Sequence, residues 1–369
     1  MKAITVKPGV KNSIQMRDVP APEAKPDEIK VRVIRAGLCG TDAEINDGLY
    51  GQTPPGDDYL ILGHENLGVI EEVKGDANGL RQGDYVVSTV RRPCGKCPYC
   101  QQGEMDLCSS GDYTERGIKG RHGFMAEYYV ESPRYLVKIP EAIRDIGILL
   151  EPMSIVEKGI DHSYLIQRRM TWQPKQALVL GAGPVGLLAA AVLRARGLRT
   201  FVAGREPVTD PRAGIAQSLE AEYICVDGIE ITDAVKRLGP LDLVIEATGV
   251  SSVAFNAMQI LAADGILCLL SVTAGQGMRQ VPANTINQDL VLRNNVVFGS
   301  VNANPRHFHK GVEDFLTVEK NWPGTLRKLI TTQLPWQDYS QWFGQRHSGI
   351  KTTLEVSAAK SAQAQNIPA

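Results

Sequence analysis

The chain has 369 residues, and this length predicts two domains because one hydrophobic core rarely grows so large. Its 40 basic and 41 acidic residues leave a net charge of −1, which excludes a general electrostatic attraction to nucleic acid or to an anionic membrane surface. No apolar run approaches the ~20 residues needed to cross a bilayer, and the first ten residues lack the pattern of a secretory leader, so we expect a cytoplasmic protein.

Predicted β-strands dominate the first 155 residues or so. The stretch EIKVRVIRAGLCG (28–40) alternates apolar and polar side chains, as a half-buried strand does. Further short strands are predicted in LGVIEEV (67–73), GDYVVSTV (83–90) and FMAEYYV (124–130), separated by glycine, proline and aspartate. The pattern predicts a β-barrel-like domain.

A candidate zinc site is divided between two parts of this region. Cys39 follows the first of these strands, and His64 and Glu65 come just before another. One sulfur, one imidazole and one carboxylate form a zinc ligand set that can leave a coordination position open for a hydroxyl oxygen. Taken singly, the cysteine is as readily a small buried side chain and the His-Glu pair a surface pair, so the assignment depends on their joint occurrence.

Four of the seven cysteines lie in RRPCGKCPYCQQGEMDLC (91–108). Cytosolic thiols stay reduced, so Cys94, Cys97, Cys100 and Cys108 favour a metal over a disulfide or a redox sensor, the two alternatives. Four thiolates fill a tetrahedral zinc site and leave no position for substrate or water. We therefore expect a structural zinc in this segment and chemistry elsewhere.

The pattern of predicted secondary structure changes near residue 177. The stretch ALVLGAGPVGLLAAAVLRARGLRTFVAG (177–204) reads as a buried strand, a glycine turn, a helix and a second strand. Three more buried strands are predicted in DLVIEATGV, ILCLLSV and NNVVFGSV, with a helix in VAFNAMQILAAD (253–264). Alternating strands and helices predict a parallel, doubly wound α/β sheet with right-handed crossovers.

The glycine turn carries a dinucleotide-binding motif. Gly181, Gly183 and Gly186 have G-x-G-x-x-G spacing between a predicted strand and helix, the context that distinguishes this fingerprint from an ordinary glycine turn. The second strand ends in Gly204 and Arg205 where an NAD-binding protein usually carries an acid. An arginine there can pair with a 2′-phosphate, so NADP is favoured, while the following Glu206 keeps NAD open.

These motifs together resemble the zinc-containing medium-chain alcohol dehydrogenases. The resemblance rests on the GHE of residues 63–65 with Gly68 following, GDYVV, the four-cysteine segment and GAGPVG, and it covers nearly the whole chain. It implies a GroES-like catalytic domain at 1–165 with a zinc lobe at about 91–110, a Rossmann domain at 166–301, and a C-terminal part of the catalytic domain at 302–369. It also implies two zinc ions per chain. The cofactor contacts implied are Gly181, Gly183, Pro184, Val185, Gly186, Gly204, Arg205, Ser271, Val272, Thr273, Ser300, Val301 and Asn302.

Within that family the chain is most similar to the archaeal-type glucose 1-dehydrogenases. The similarity is carried by GDYTERGIKGRHGFMAEYYV, YLVKIPEAIRDIGILLEPMSIVEKGI and FGSVNANPRHFHKGVEDF. It implies that Cys39 and His64 bind the catalytic zinc, with Glu65 and Glu151 sharing the carboxylate role; which glutamate binds directly stays open. It further implies that sugar hydroxyls contact Thr41, Thr89, Glu115, Glu151 and Asn302.

The implied reaction transfers hydride from the anomeric carbon of an aldose to the nicotinamide, and Thr41 takes up the hydroxyl proton. Two alternatives stay open at this point: a polyol or secondary-alcohol dehydrogenase of the same family, and a non-catalytic protein that binds zinc and nucleotide. NNVVFGSV (294–301) could form an edge strand of the kind that pairs in dimers, so we expect a homo-oligomer, a dimer or a tetramer. The sequence does not select among glucose, galactose and xylose.

Overall fold

Strands dominate the N-terminal part of this computed structural model, which describes residues 1–273, 277–343 and 349–357. These strands are β1 (Lys2–Val6), β2 (Gln15–Asp18), β3 (Glu28–Leu38), β4 (Leu60–Ile61), β5 (Glu65–Lys74), β6 (Tyr85–Ser88), β7 (Arg91–Arg92), β8 (Thr114–Arg116), β9 (Gly120–Arg121), β10 (Tyr128–Glu131) and β11 (Leu136–Lys138). Between them lie the short helices α1 (Gly40–Asn46) and α2 (Pro98–Gln101) and 3-10 turns at Met105–Leu107 and Pro133–Tyr135.

The long strand β3 is the centre of the largest N-terminal sheet. Its residues Ile29, Val31 and Val33 are buried in one cluster with Ile70 and Phe124, because alternate side chains of a strand point to the same face. Two strands of this sheet, β18 (Ile330–Pro335) and β19 (Lys351–Glu355), come from the C-terminal part of the chain. In sheet order the strands are β11, β6, β5, β3, β19 and β18, with β10 also paired to β3.

The C-terminal strands complete this sheet through an antiparallel ladder. Thr352 of β19 pairs with Leu38 of β3, and Glu355 pairs with Arg35. The ion pair of Arg35 Nε and Glu355 Oε1, at 2.8 Å, reinforces the register. The end of β3 therefore lies between β5 on one side and β19 on the other.

A parallel six-stranded sheet forms the second half of the structure. Its strands are β12 (Gln176–Leu180), β13 (Arg199–Gly204), β14 (Glu222–Cys225), β15 (Leu243–Glu246), β16 (Ile266–Leu269) and β17 (Val296–Gly299), and its helices are α4 (Pro184–Ala195), α5 (Pro211–Ser218), α6 (Ile231–Ala234), α7 (Ser251–Ala257) and α8 (Ala283–Leu292). The spatial order β14, β13, β12, β15, β16, β17 is that of the Rossmann fold. The topological switch point of the sheet, where the strand order reverses, lies between β12 and β15. A ligand is expected at that point.

Helix α7 is shorter than the sequence predicts. The pattern in 253–264 extends the helix to Asp264, whereas α7 ends at Ala257. The chain turns back toward β16 there, with the N–H of Ala262 donating to Leu241 O at 3.0 Å and Asp264 in a left-handed conformation.

Helices α3 (Leu150–Gln167) and α9 (Pro305–Asn321) pack across the two sheet systems. A 3-10 segment, Glu141–Leu149, leads into α3, and two more at Leu326–Leu329 and Trp336–Gln341 flank β18. Gly311 of α9 permits a close crossing, because a Cβ there would lie 2.9 Å from Leu150 Cδ1. Among the described residues, no helix is long and apolar enough to cross a membrane.

Candidate active site and metal centres

Register between β3 and β5 brings the first candidate ligands together. Gly37 pairs with Glu65, so Cys39, two residues beyond Gly37, and His64, one before Glu65, meet at the same end of the ladder. One possible ligand atom from each of Cys39, His64 and Glu65 lies within 4.8 Å of the other two. Gly37 is required for this arrangement, because a Cβ there would lie 1.9 Å from Glu65 Oε2.

Asp42 orients this cluster, and the sequence analysis missed it. The carboxylate is fully buried; its Oδ2 accepts the N–H of Cys39 at 3.0 Å, and its Oδ1 lies 3.6 Å from His64 Nδ1. A carboxylate behind a ligating histidine fixes the ring and raises its basicity. The available signal was an acid three residues after the cysteine, in CGTD.

The charges around His64 favour a cation. Burial opposes protonation of this imidazole, but Asp42 and Cys39 outweigh it and raise the pKa of His64 well above its ordinary value. Sulfur, imidazole and carboxylate donors close together in a buried setting that stabilises positive charge fit a zinc ion.

Lys351 is the second residue that the sequence analysis missed. Its Nζ is buried, contacts both carboxylate oxygens of Glu65 and donates to Leu38 O at 3.0 Å. Burial opposes the charge on Lys351, yet Glu65 outweighs it and raises the pKa of the ammonium. Glu65 is thus already neutralised by a residue 286 positions away.

Glu151 lies in the first turn of α3 and is buried near the same charges. Burial and the neighbouring Glu65 raise its pKa to about 7 although His64 opposes the rise. Its carboxylate is not part of the compact Cys39, His64 and Glu65 group. Thr41, in the first turn of α1, is half-buried beside Tyr50, whose pKa burial raises to about 12.

The four-cysteine segment forms a second, separate cluster. Cys97 Sγ lies 3.3 Å from Cys100 Sγ and 4.0 Å from Cys108 Sγ, and Cys94 Sγ lies 3.8 Å from Cys100 Sγ. Four sulfurs at ~2.3 Å from one zinc ion stand about 3.8 Å apart, whereas a disulfide needs ~2.05 Å. All four thiols are free, so the geometry fits a closed zinc site.

A third group of possible ligands is excluded by its hydrogen bonding. Asp161, His162 and His307 approach within 4.8 Å beside a cavity of about 540 Å³. Nδ1 of His307, however, accepts the N–H of Asn304 at 3.1 Å and caps α9. Its Nε2 accepts a hydrogen bond from Arg306 Nε at 3.3 Å and lies 3.4 Å from Asp161 Oδ2, so both ring nitrogens are already engaged within the protein.

Two of the residues expected to hold sugar hydroxyls contact each other. Asn302 Nδ2 donates to Glu115 Oε1 at 2.6 Å, although 187 positions separate them. Arg91, paired with Glu115 across β7 and β8, donates to the same oxygen from Nη2 at 3.0 Å. Thr89 is buried, and its hydroxyl accepts from Arg92 Nη1 at 3.1 Å.

The glycine turn after β12 is shaped to receive a phosphate backbone. Gly181 has φ +105°, and a Cβ on Gly186 would lie 1.9 Å from Gly181 O, so only glycine allows α4 to begin so close to the strand. Gly183 caps α4 and has open space where its side chain would be. Pro184 and Val185 follow in the first turn, whose free N–H groups attract phosphate.

The end of β13 bears on the choice between NADP and NAD. A Cβ on Gly204 would lie 2.4 Å from the Tyr223 hydroxyl, which keeps this position small. The side chain of Arg205 is exposed. Glu206 forms an ion pair with Arg212, whose Nε lies 3.8 Å from Glu206 Oε1.

The other expected cofactor contacts follow β16 and β17, at the same edge of the sheet as the glycine turn. The Ser271 hydroxyl donates to Glu246 and accepts the N–H of Gly249 at 2.7 Å, so its own hydrogen bonds are used within the protein. Val272, Thr273 and Val301 are exposed. The buried hydroxyl of Ser300 has no partner among the described residues.

Comparisons with known proteins cover both halves of this fold. An alcohol dehydrogenase GroES-like domain model matches residues 25–141, and a glucose dehydrogenase C-terminus model matches residues 144–356. The glucose 1-dehydrogenase of Methanocella arvoryzae is 44% identical over 97% of this chain and all of its own length. The chain belongs to the glucose dehydrogenase family.

Other members of the glucose dehydrogenase family agree in length and fold. The Thermoproteus tenax glucose 1-dehydrogenase is 41% identical over 96% of this chain and 99% of its own. The Haloferax mediterranei glucose dehydrogenase, solved with NADP, Zn and gluconolactone, superposes with a TM-score of 0.87 at 34% identity over 97% of this chain and 100% of its own. The predicted fold class, a GroES-like domain with a Rossmann domain, is confirmed, as is the family.

Proposed function

We propose that the protein oxidises the anomeric hydroxyl of an aldose, glucose foremost, to the aldonolactone, with a catalytic zinc and with NADP as hydride acceptor. The supporting observation is that the Cys39, His64 and Glu65 cluster and the glycine cradle of 181–186 occur in one chain similar over its whole length to glucose dehydrogenases. A relative of that family was solved with NADP, zinc and gluconolactone. The four-cysteine cluster would hold a second, structural zinc.

Zinc held by Cys39, His64 and Glu65 would lower the pKa of a sugar hydroxyl, and a dinucleotide bound at the glycine turn would supply the hydride acceptor. Thr41 takes up the hydroxyl proton and passes it toward solvent. Glu115 and Asn302 receive other sugar hydroxyls, because each buried hydroxyl without a partner costs ~1–3 kcal/mol. Glu65, held by Lys351, completes the polar lining, and Glu151, whose pKa burial raises to about 7, can hold or release a proton.

An assay across aldoses, polyols and simple alcohols with both cofactors tests this proposal. We expect glucose with NADP to be among the fastest combinations, measured by absorbance of the reduced cofactor. His64→Ala should lower kcat by more than about 100-fold while NADP still binds, because the metal ligand is lost and the Rossmann site is not.

His309→Ala is the matched control, since this histidine is exposed on α9 and should leave kcat within about twofold. Full activity in a folded, metal-depleted His64→Ala protein would contradict the proposal. So would faster oxidation of a polyol than of every aldose by the wild-type protein.

The assembly and location that we propose rest on surface features. Strand β17 is at the edge of its described sheet, and Val291 and Leu292, at the end of the preceding helix α8, are exposed, so a second copy of the chain could pair along this edge to form a homo-oligomer. Seven free cysteines suit a reducing compartment, which supports the cytoplasm. We also propose the domain division 1–165, 166–301 and 302–369.

A further inference from the structure

The segment 301–304, which joins β17 to α9, is hydrogen-bonded to α3, to β8 and to the zinc lobe. Lys158 of α3 donates to Val301 O at 2.9 Å. Asn302 donates to Glu115, just beyond the lobe. Asn304 Nδ2 donates to Asp106 Oδ1 at 3.0 Å and to Gly103 O at 2.7 Å, both within the lobe. The segment therefore contacts α3 at its start and the lobe at its end.

One buried ion pair connects these contacts. Lys158 Nζ lies 2.9 Å from Asp106 Oδ2, with side-chain exposures of 3% and 0%. The same ammonium reaches Val301, and the same carboxylate reaches Asn304. Arg91, which holds Glu115, also donates from Nη1 to Asp106 O at 2.7 Å. Asp106 and Lys158 thus link both ends of the segment to the lobe.

Stability alone does not account for such a pair. Two charges removed from water lose about as much free energy by desolvation as they gain from each other, so a buried ion pair adds little stability over an apolar one. The pair does restrict how the surrounding residues can be arranged, because separating the two charges would leave each of them buried without a partner. The residues so arranged include Asn302, whose backbone has φ +61°. This left-handed conformation costs ~1–2 kcal/mol for most residues other than glycine, and less for asparagine.

We propose that Asp106 and Lys158 are positioning residues that fix the segment 301–304 against the zinc lobe and so determine how well the protein holds the sugar. The inference rests on the proposed function, in which Glu115 and Asn302 receive sugar hydroxyls. Neither Asp106 nor Lys158 needs to touch the substrate. They act through Val301, Asn304 and Arg91.

The test replaces both charges at once, since either single change would leave a buried charge unpaired and could unfold the protein. The double variant Asp106→Asn/Lys158→Met keeps the size of both side chains and removes the donor to Val301. We expect the KM for glucose to rise by at least about fivefold, the effect of roughly one lost hydrogen bond, at unchanged zinc content. Affinity for 2′,5′-ADP, which occupies only the adenine half of the cofactor site, should stay within about twofold.

Glu157→Gln is the control, because Glu157 is also buried on α3, with its Oε2 2.7 Å from Arg196 Nη2, and forms no hydrogen bond to 301–304 among the described residues. Its glucose KM should equal that of the wild type. An unchanged KM in the double variant would overturn the proposal. An equal loss of affinity for glucose and for 2′,5′-ADP, with a matching fall in Tm, would also overturn it, because that is the mark of general destabilisation.

Amide hydrogen exchange provides a readout that does not depend on activity. In the double variant, exchange should accelerate in peptides covering 300–305 and 103–108 and stay unchanged in 176–204. If the wild-type protein oxidises no aldose, the proposed function fails, but selective acceleration at 300–305 still supports the positioning role. Unchanged exchange at 300–305 would refute it.

Discussion

Two charged residues after β13, Arg205 and Glu206, bear on the choice between NADP and NAD. Arg205 is exposed directly after Gly204, while the acid that follows, Glu206, lies 3.8 Å from Arg212. A ribose 2′-hydroxyl would have to compete with Arg212 for that carboxylate, whereas a 2′-phosphate can pair with Arg205. The local charges therefore favour NADP.

Replacement of this arginine tests the preference. Arg205→Ser should lower kcat/KM for NADP by about tenfold or more, since a hydrogen bond to a charged group contributes ~1.5–3 kcal/mol, and should leave kcat/KM for NAD within about twofold. The measurement is initial rates with each cofactor at saturating sugar. Arg199→Ser, at the other end of β13, is the control. An equal loss with both cofactors would show that Arg205 does not contact the 2′-phosphate.

Between elements, the packing of α3 against α9 buries a pair of carboxyl groups. Arg196 Nη2 lies 2.7 Å from Glu157 Oε2 and 3.5 Å from Asp314 Oδ2. Burial, together with a hydrogen bond and charge repulsion from Asp314, raises the pKa of Glu157 to about 9. The Glu157 carboxyl therefore keeps its proton at neutral pH and shares it in a hydrogen bond with Asp314, whose carboxylate lies 3.5 Å from Arg196 and 3.2 Å from Lys310.

This shared proton makes stability depend on pH. The pKa of Glu157 rises from 4.5 to about 9 on folding, so the folded state binds the proton more tightly. The stabilisation is complete below about pH 4.5 and is lost as pH rises toward 9. Glu157→Gln, which cannot lose a proton, should reduce the fall in Tm between pH 6 and 9 measured by thermal unfolding, roughly the range of this titration. An identical pH dependence in both proteins would contradict the shared proton.

At the scale of the whole molecule, β17 forms one edge of the described Rossmann sheet, and exposed apolar side chains precede it in the chain. Leu292 is 79% exposed and Val291 is 65% exposed at the end of α8, just before β17. Isolated apolar side chains are common on surfaces, but two adjacent ones that lead into an edge strand are consistent with the homo-oligomer that we propose. The second copy that we propose would cover both.

Charge at this edge should break the assembly. Val291→Lys/Leu292→Lys should shift the mass measured by light scattering after size-exclusion chromatography to half or less of the wild-type assembly, because buried lysines cost free energy without partners. Leu165→Lys, an exposed leucine on α3, is the control and should leave the mass unchanged. A monomeric wild-type protein would contradict the proposed oligomer outright.

Much of the predicted fold and site came from patterns among residues that are close together in the sequence. The strand, turn and helix around Gly181 and the short spacing of Cys94, Cys97, Cys100 and Cys108 are properties of neighbouring residues, and both were predicted from the sequence. The order of these motifs along the chain indicated the family and the fold class, which the comparisons confirm. Asp42, three residues from Cys39, lay within reach of the same reasoning and was missed.

The fold class, the four-cysteine spacing and the dinucleotide turn could be predicted from the sequence, because strand alternation, ligand spacing and glycine geometry are short-range. The Cys39, His64 and Glu65 cluster was a prediction from two separate segments, and the register of β3 against β5 brings their side chains together. Only the tertiary structure decided which distant residues meet. It placed Lys351 on Glu65 and Asn302 on Glu115, and it tied Asp106 to Lys158. These contacts depend on the register of β19 against β3 and on the packing of α3 near the lobe, and no periodicity within one segment encodes them.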